Sequence, residues 1–285
     1  MTAGIVNFNA GPLLLRCVES LLREPEIASI VVVDNASTDD SLSRLERATA
    51  REPRVSVIRN EINRGFASGC NQILAAVRTE FALLVNPDCE VLPSAISVAL
   101  SEMDASPSAA MVGGLLLNPD GSEQRGCRRT FPTPARAMKR IVFGRRRAHL
   151  GFDLAGSPLP DAPVTVDAVS GAFMLTRMSA VREVGMLDAR YFMHCEDLDW
   201  CKRFSDAGWT VRFVPQAVAV HVQGTSSRKR PVRVLWYKHH SMMRYYRKFH
   251  CNGPLQRLMQ LPLWLAVYGR ALLLTPFVAL GIVRP

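Results

Sequence analysis

The chain has 285 residues, 48% hydrophobic and 21% charged, a balance that excludes an intrinsically disordered protein and provides for one large core, alone or with an appendage. Its seven cysteines form no C-x-x-C pair and read as reduced thiols, not as a zinc site or a disulfide framework. The net charge of +10 is uneven: residues 224–285 hold 11 Lys or Arg and residues 124–152 hold nine, neither with an acid, leaving 15 basic against 25 acidic residues elsewhere. An acidic body with two basic segments suits phosphate-bearing partners.

In chain order, the opening "MTAGIVNFNAG" lacks a basic start and a long apolar run, so no amino-terminal leader is expected. "AGIVNF" reads as a strand and "PLLLRCVESLLRE" as a helix, then "SIVVVD" as a strand and "TDDSLSRLERATA" as a helix capped by Ser37 or Thr38. "RVSVIRN", the helix "GFASGCNQILAAVR" and the apolar strand "EFALLV" follow. This alternation predicts a mostly parallel α/β sheet with crossover helices. Residues 124–163, rich in Arg, Gly and Pro, read as a long loop of the kind that is functional or disordered. "TVDAVSGAFMLTR" returns to strand, "EDLDWCKRFSDAG" has helical spacing up to Gly208, and "WTVRFVP" and "AVAVHV" read as two last strands.

Ligands of such sheets bind beyond the carboxyl ends of the strands. Those ends are all polar here: Asn7 and Asn9, then Asp34 and Asn35, then Asn60 with Asn63, Arg64 and Gly65, then Asn86, Pro87 and Asp88. Any one would be an ordinary turn, and the coincidence of four is the signal. Asn-Pro-Asp occurs twice. The copy at 118–120 runs into Gly121 and reads as a tight turn, whereas the copy at 86–88 leads toward a helix. Asp88 is therefore the better functional acid, able to hold a divalent cation with a diphosphate. His221, at the end of "AVAVHV", joins it only if the fold brings the two together. "FMHCEDLDW" crowds Glu196, Asp197 and Asp199 between aromatic residues. Acids favour a helix start, and a carboxylate there can also take a proton; the two readings are compatible.

The segments "VVVDNASTDDS", "NRGFASGCNQ", "LLVNPDCEV", "SGAFMLTRMSAVREVGMLDARYFMHCEDLDWCKRFSDAGW" and "VPQAVAVH" resemble family two glycosyltransferases of the GT-A fold, in particular the bacterial branch that transfers rhamnose from a dTDP-sugar. The resemblance spans roughly residues 4 to 250 and implies a GT-A domain over 1–223, followed by a basic, apolar helical segment over 224–285. It implies an inverting glycosyltransferase dependent on Mg²⁺ or Mn²⁺. Nucleotide-binding residues would be Asn7, Asn9, Asp34, Asn63, Arg64, Gly65, Asn71 and Asn86. Asp88 and His221 would hold the metal, and Asn86 stands where the family often has a first aspartate. The Glu196–Asp197 pair matches the family's catalytic-base motif, with Asp197 as the base.

Arg125, Arg128, Arg129 and Trp200 are the acceptor candidates. The carboxy-terminal "LMQLPLWLAVYGRALLLTPFVALGIV" is long enough to span a bilayer, but Arg270 lies near its centre, and the basic run before it fits a helix in the interface of an anionic membrane. The expected partners are dTDP-rhamnose, a lipid-linked or polysaccharide acceptor of the bacterial envelope, and the inner face of the plasma membrane, with the body in the cytoplasm. A homo-oligomer is compatible with the chain. Nucleic acid is not expected, because no recognition motif accompanies the basic run. Two rivals stand beside this reading: a transferase of the same fold using a UDP- or GDP-sugar, and a non-catalytic membrane-associated nucleotide-binding module.

Overall fold

A computed structural model describes residues 1–133, 152–222, 230–251, 253, 254, 258 and 260–283. The centre of the first basic segment and Arg228 and Lys229 of the second lie outside the described residues.

Four strands, β1 (Thr2–Asn7), β2 (Ser29–Asp34), β3 (Val55–Arg59) and β4 (Phe81–Val85), pair in parallel in the order β3-β2-β1-β4. Three helices, α1 (Leu13–Leu22), α2 (Ser41–Ala48) and α3 (Phe66–Ala76), make the crossovers. β1 and β4 are buried along their whole length, which accounts for their unbroken apolar sequence. α2 starts later than expected: Asp40 precedes it without a side-chain cap, because the Ser37 hydroxyl is engaged with β1 instead.

The second half departs from a purely parallel arrangement. After Asp88 come a three-residue strand β5 (Cys89–Val91), helix α4 (Ala95–Ala105) and β6 (Ala109–Leu117). β7 (Arg128–Arg129) pairs antiparallel with β9 (Ala168–Val169) in a small separate sheet. β8 (Val164–Val166) and β10 (Phe173–Arg177) follow, and β10 runs antiparallel between β4 and β6. The expected pair of last strands is one strand, β11 (Thr210–His221), with a register shift between Val214 and Val218. Pro215, which has no N–H to give the ladder, lies in that shift. β11 completes a nine-stranded mixed sheet of order β3-β2-β1-β4-β10-β6-β11-β5, with β8 on β11.

The remaining helices are α5 (Met178–Val184), α6 (Glu196–Asp206), α7 (Pro231–His250) and α8 (Gln260–Ala279). α7 is docked on the body. Tyr237 stacks on Phe192 at 4.4 Å, Ser241 donates to the Met193 carbonyl at 2.8 Å, and Lys248 reaches Asp199 at 2.5 Å. Asp199 is fully buried and also bonded to Arg203 and Tyr191. It therefore anchors the tail and does not share the surroundings of Asp197. α8 packs on α7 through Tyr268, which meets Trp236 and His240.

Candidate active site

The parallel half supplies a network of neutral donors and acceptors around one carboxylate. Asn7 Nδ2, fully buried at the end of β1, donates to Asp34 Oδ1 at 2.7 Å and also reaches the Ser37 and Ser41 hydroxyls. The Ser37 amide donates to the other Asp34 oxygen at 3.1 Å. Asn9, in a left-handed conformation, accepts from the Thr38 and Asp39 amides and so fixes the loop after β2. Asn35 Nδ2 donates to the Gly65 carbonyl, which links this loop to the Asn63–Gly65 segment, where Asn63 accepts from the Gly65 amide. Gly65 has φ +85°, and a Cβ there would lie 2.6 Å from the Phe192 carbonyl. Only glycine allows that approach, which lets the Phe66 amide bond the same carbonyl at 3.0 Å. The nucleotide segment is thereby tied to the loop before Glu196.

Two positions expected at the nucleotide or the acceptor do other work. Asn71 commits both ends of its amide to the Leu187 peptide, at 2.8 and 3.0 Å, and so braces α3 against the loop before Tyr191. Trp200 is fully buried, donates to the Gly185 carbonyl at 2.9 Å and packs on Phe204. It is a core residue, because its place on α6 points into the body. Of the arginines, Arg128 is buried in a two-toothed ion pair with Glu123 over the Phe213 ring, and Arg125 pairs with Asp153 at the surface. Arg129 turns the other way, onto Asp197.

The fold brings His221 to Asp88: Nε2 and Oδ1 are 3.0 Å apart, and both residues are buried. Gln124 sets the imidazole. Its Nε2 donates to the Asn118 side chain and the His221 carbonyl, so its Oε1 faces His221 Nδ1 at 2.5 Å and accepts that hydrogen. His221 Nε2 then presents a lone pair to a carboxylate oxygen, with Asn86 Nδ2 at 3.4 Å, the outer limit of a bond. Two acceptors this close call for positive charge between them, a proton or a metal ion. Two ligands at about 2.1 Å from one ion and at a right angle would sit about 3.0 Å apart, so the pair fits a divalent cation. Among the described residues no group of three or more His, Cys, Asp or Glu forms a metal cluster. Gln124 carried no sequence signal; an isolated glutamine in an Arg-rich stretch is indistinguishable from surface.

Glu196 and Asp197 open α6 after two consecutive left-handed residues, His194 (φ 68°) and Cys195 (φ 65°). Neither is glycine, so this turn is strained and is held by its surroundings, among them Ser241 on Met193 and Tyr237 on Phe192. Asp197 accepts from Arg129, from the Gly171 amide at 3.0 Å and from the Leu198 amide at 2.7 Å. Burial opposes its ionisation, but Arg129 and those amides outweigh it and hold the carboxyl below its ordinary range. Glu196 goes the opposite way. Burial, then the negative charge of Asp197, push its carboxyl up to about 8. Burial also drives the His194 imidazole down to about 4, with Lys238 acting in the same sense.

The two centres meet across one turn. The Gly171 amide holds Asp197, and the next carbonyl, of Ala172, accepts from the Asn86 amide at 3.1 Å, two residues from Asp88. The sequence profile described as "Glycosyl transferase family 2" matches residues 2–183. This chain belongs to that family. It is a glycosyltransferase of GT-A fold, similar to the rhamnosyltransferase branch. N-acetylglucosaminyl-diphospho-decaprenol L-rhamnosyltransferase of Mycobacterium tuberculosis is 30% identical over 83% of this chain and 80% of its own length. Rhamnosyltransferase WbbL of Escherichia coli is 46% identical over 20% of this chain and 21% of its own length. Among solved structures, the mannosyltransferase PcManGT of Pyrobaculum calidifontis, determined with GDP-Man and Mn²⁺, superimposes with a TM-score of 0.59 at 15% identity, over 98% of this chain and 72% of that one.

Proposed function

We propose that this glycosyltransferase moves L-rhamnose, with inversion, from dTDP-rhamnose to a lipid-linked acceptor of the bacterial envelope. The observation that carries the reading is the meeting of the Asp88–His221 pair and the Glu196–Asp197 pair across the Gly171–Ala172 turn. One centre suits a leaving diphosphate and the other suits an incoming hydroxyl. The similarity to the mycobacterial enzyme over 83% of this chain, an enzyme whose name states a diphospho-decaprenol acceptor and L-rhamnose, supports the choice of both substrates.

In the mechanism, Asn7, Asn9, Asp34, Ser37 and the Asn63–Gly65 segment seat the nucleotide. Asp88 and His221 would hold Mg²⁺ or Mn²⁺, which when bound supplies positive charge for the departing diphosphate. Asp197 takes the acceptor proton as the new C–O bond forms and the anomeric C–O bond to phosphate breaks. Protonated Glu196 stays neutral beside it and spares the site a second charge.

The tail supports attachment to the inner face of the plasma membrane. α8 is 20 residues long with a mean hydropathy of 1.5, and only 11% of its most apolar stretch is buried. Leu261, Leu265, Leu272, Leu273 and Phe277 face outward. Arg270, the charge that stands against an apolar role, is exposed, but its guanidinium donates to His239 Nε2 of α7 at 2.8 Å. Arg233, Trp236, Lys238 and Arg247 are exposed on the adjoining α7, an arrangement suited to anionic headgroups.

Turnover of dTDP-rhamnose against UDP- and GDP-sugars, with a prenyl-diphosphate sugar as acceptor and Mn²⁺ present or chelated, tests the activity. Preference for a UDP- or GDP-sugar would replace the donor. Failure to sediment with phosphatidylglycerol vesicles would remove the membrane assignment.

A further inference from the structure

A carboxylate accepts hydrogen bonds at about four lone-pair sites. At Asp197 four donors already reach them. Oδ2 receives Arg129 Nη2 at 2.6 Å and the Gly171 amide at 3.0 Å, while Oδ1 receives the Leu198 amide at 2.7 Å and Arg129 Nη1 at 3.5 Å. The 3.5 Å contact is at the outer limit of a bond, but in this state Arg129 covers the sites that the two amides leave open to the proton of an acceptor hydroxyl. Two of the donors are main-chain amides fixed by the turn before β10 and by the first turn of α6. The other two belong to one side chain, Arg129, on the two-residue strand β7, whose Nη2 also donates to the Val169 carbonyl; unlike the amides, a side chain can change rotamer and leave.

It cannot withdraw without another anion. The Arg129 side chain is 15% exposed, and its Nε is buried with no hydrogen-bond partner among the described residues. A guanidinium stripped of its counter-ion in such a place is strongly disfavoured. Glu196 is a poor replacement, because burial and the charge of Asp197 raise its carboxyl to about 8. The anion must come from outside the protein, and a phosphate matches the two-toothed geometry of a guanidinium.

We propose that Arg129 locks Asp197 in the resting enzyme and is released by a phosphate or diphosphate carried on the acceptor, so that Arg129 selects acceptors with an anion beside the reacting sugar. This rests on the acceptor reading above. With the lock closed, water is not activated and the donor survives. With the acceptor bound, the guanidinium passes to phosphate oxygens, and the freed Asp197 oxygen takes the hydroxyl proton.

The groups facing Asp197 are Arg129 from β7, Glu196 and Cys201 from its own helix, and His194 and Cys195 from the preceding turn, with Lys238 of α7 facing His194; burial pushes both thiols up, so they stay neutral. Arg129→Met and Arg129→Lys, checked for folding by circular dichroism and for dTDP binding by calorimetry, are compared with the parent enzyme. In the absence of acceptor, Arg129→Met is expected to hydrolyse dTDP-rhamnose roughly three- to tenfold faster. Its acid limb should move to higher pH, because loss of the cation leaves burial to raise Asp197 against the two amides alone. Unchanged or slower hydrolysis with an unmoved limb would overturn the lock. Transfer is then measured to an N-acetylglucosaminyl diphosphate on a short prenol and to an uncharged alkyl N-acetylglucosaminide. The parent is expected to favour the diphosphate in kcat/KM by about tenfold or more, Arg129→Met to lose that preference, and Arg129→Lys to keep part of it. Equal losses on both acceptors would make Arg129 a structural residue and sink the selection. A parent enzyme that transfers to neither acceptor refutes the acceptor reading, while the hydrolysis comparison still decides the lock.

Discussion

The two sides of the candidate active site, the proposed donor wall and the proposed base wall, are built from different materials. The donor wall, at the ends of β1 and β2, surrounds Asp34 with the Asn7 amide, the Ser37 amide and the Ser37 and Ser41 hydroxyls. The base wall gathers Arg129, Gly171, Glu196 and Asp197 from separate stretches of chain and buries two carboxyls beside a half-buried guanidinium. Neutral networks hold a shape and respond little to pH, whereas buried charges change state when a partner arrives or leaves. One wall is suited to recognising a fixed nucleotide and the other to a reaction that must begin on cue.

The largest effect is expected on the base wall. Asp197→Asn should lower transfer by about a thousandfold or more while calorimetry finds dTDP-sugar affinity within severalfold, since a general base acts only in the transition state. Near-normal turnover would show that the base lies elsewhere. Next, Asp88→Ala should weaken Mn²⁺-dependent donor binding by at least about tenfold. Equal donor affinity of parent and variant, with and without Mn²⁺, would remove the metal from this corner.

On the donor wall, Asn7→Ala strands buried Asp34 and Ser41 and should cost about 1–3 kcal/mol of stability in urea unfolding, with little dependence on pH. A smaller change is expected for Glu196→Gln, and it should depend on pH. The folded carboxyl titrates near 8, above its unfolded value, so the folded state binds the extra proton and stability falls as pH rises from the ordinary glutamate range toward 8. The melting temperature of the parent should decline across that window, and that of Glu196→Gln should stay flatter. Arg125→Ala, which removes an exposed partner of Asp153, should shift stability by less than about 0.5 kcal/mol, as a check that surface charge alone does not matter.

The parallel half was legible because its signals are local. Apolar runs followed by polar strand ends put Asn7, Asp34, Asn63 and Asp88 on one edge once the strands pair. The second half was harder to read, since one residue type serves opposite purposes there. Arg125, Arg128 and Arg129 share one short stretch, yet one is exposed, one is buried in the body and one touches the base. The left-handed turn at His194 and Cys195 had no glycine to announce it. Gln124 had no motif at all.

The sequence by itself determined that strands and crossover helices form, that the ends of the strands are polar, and that acids stand at the start of α6, because periodicity and strand-end chemistry are properties of neighbouring residues. Only the tertiary structure decided that Gln124 orients His221 toward Asp88, that Arg129 covers Asp197, that Trp200 belongs to the core and that Arg270 bonds His239 of α7. Each of those outcomes depends on which distant groups share a buried space, where a charge or a donor must find its complement.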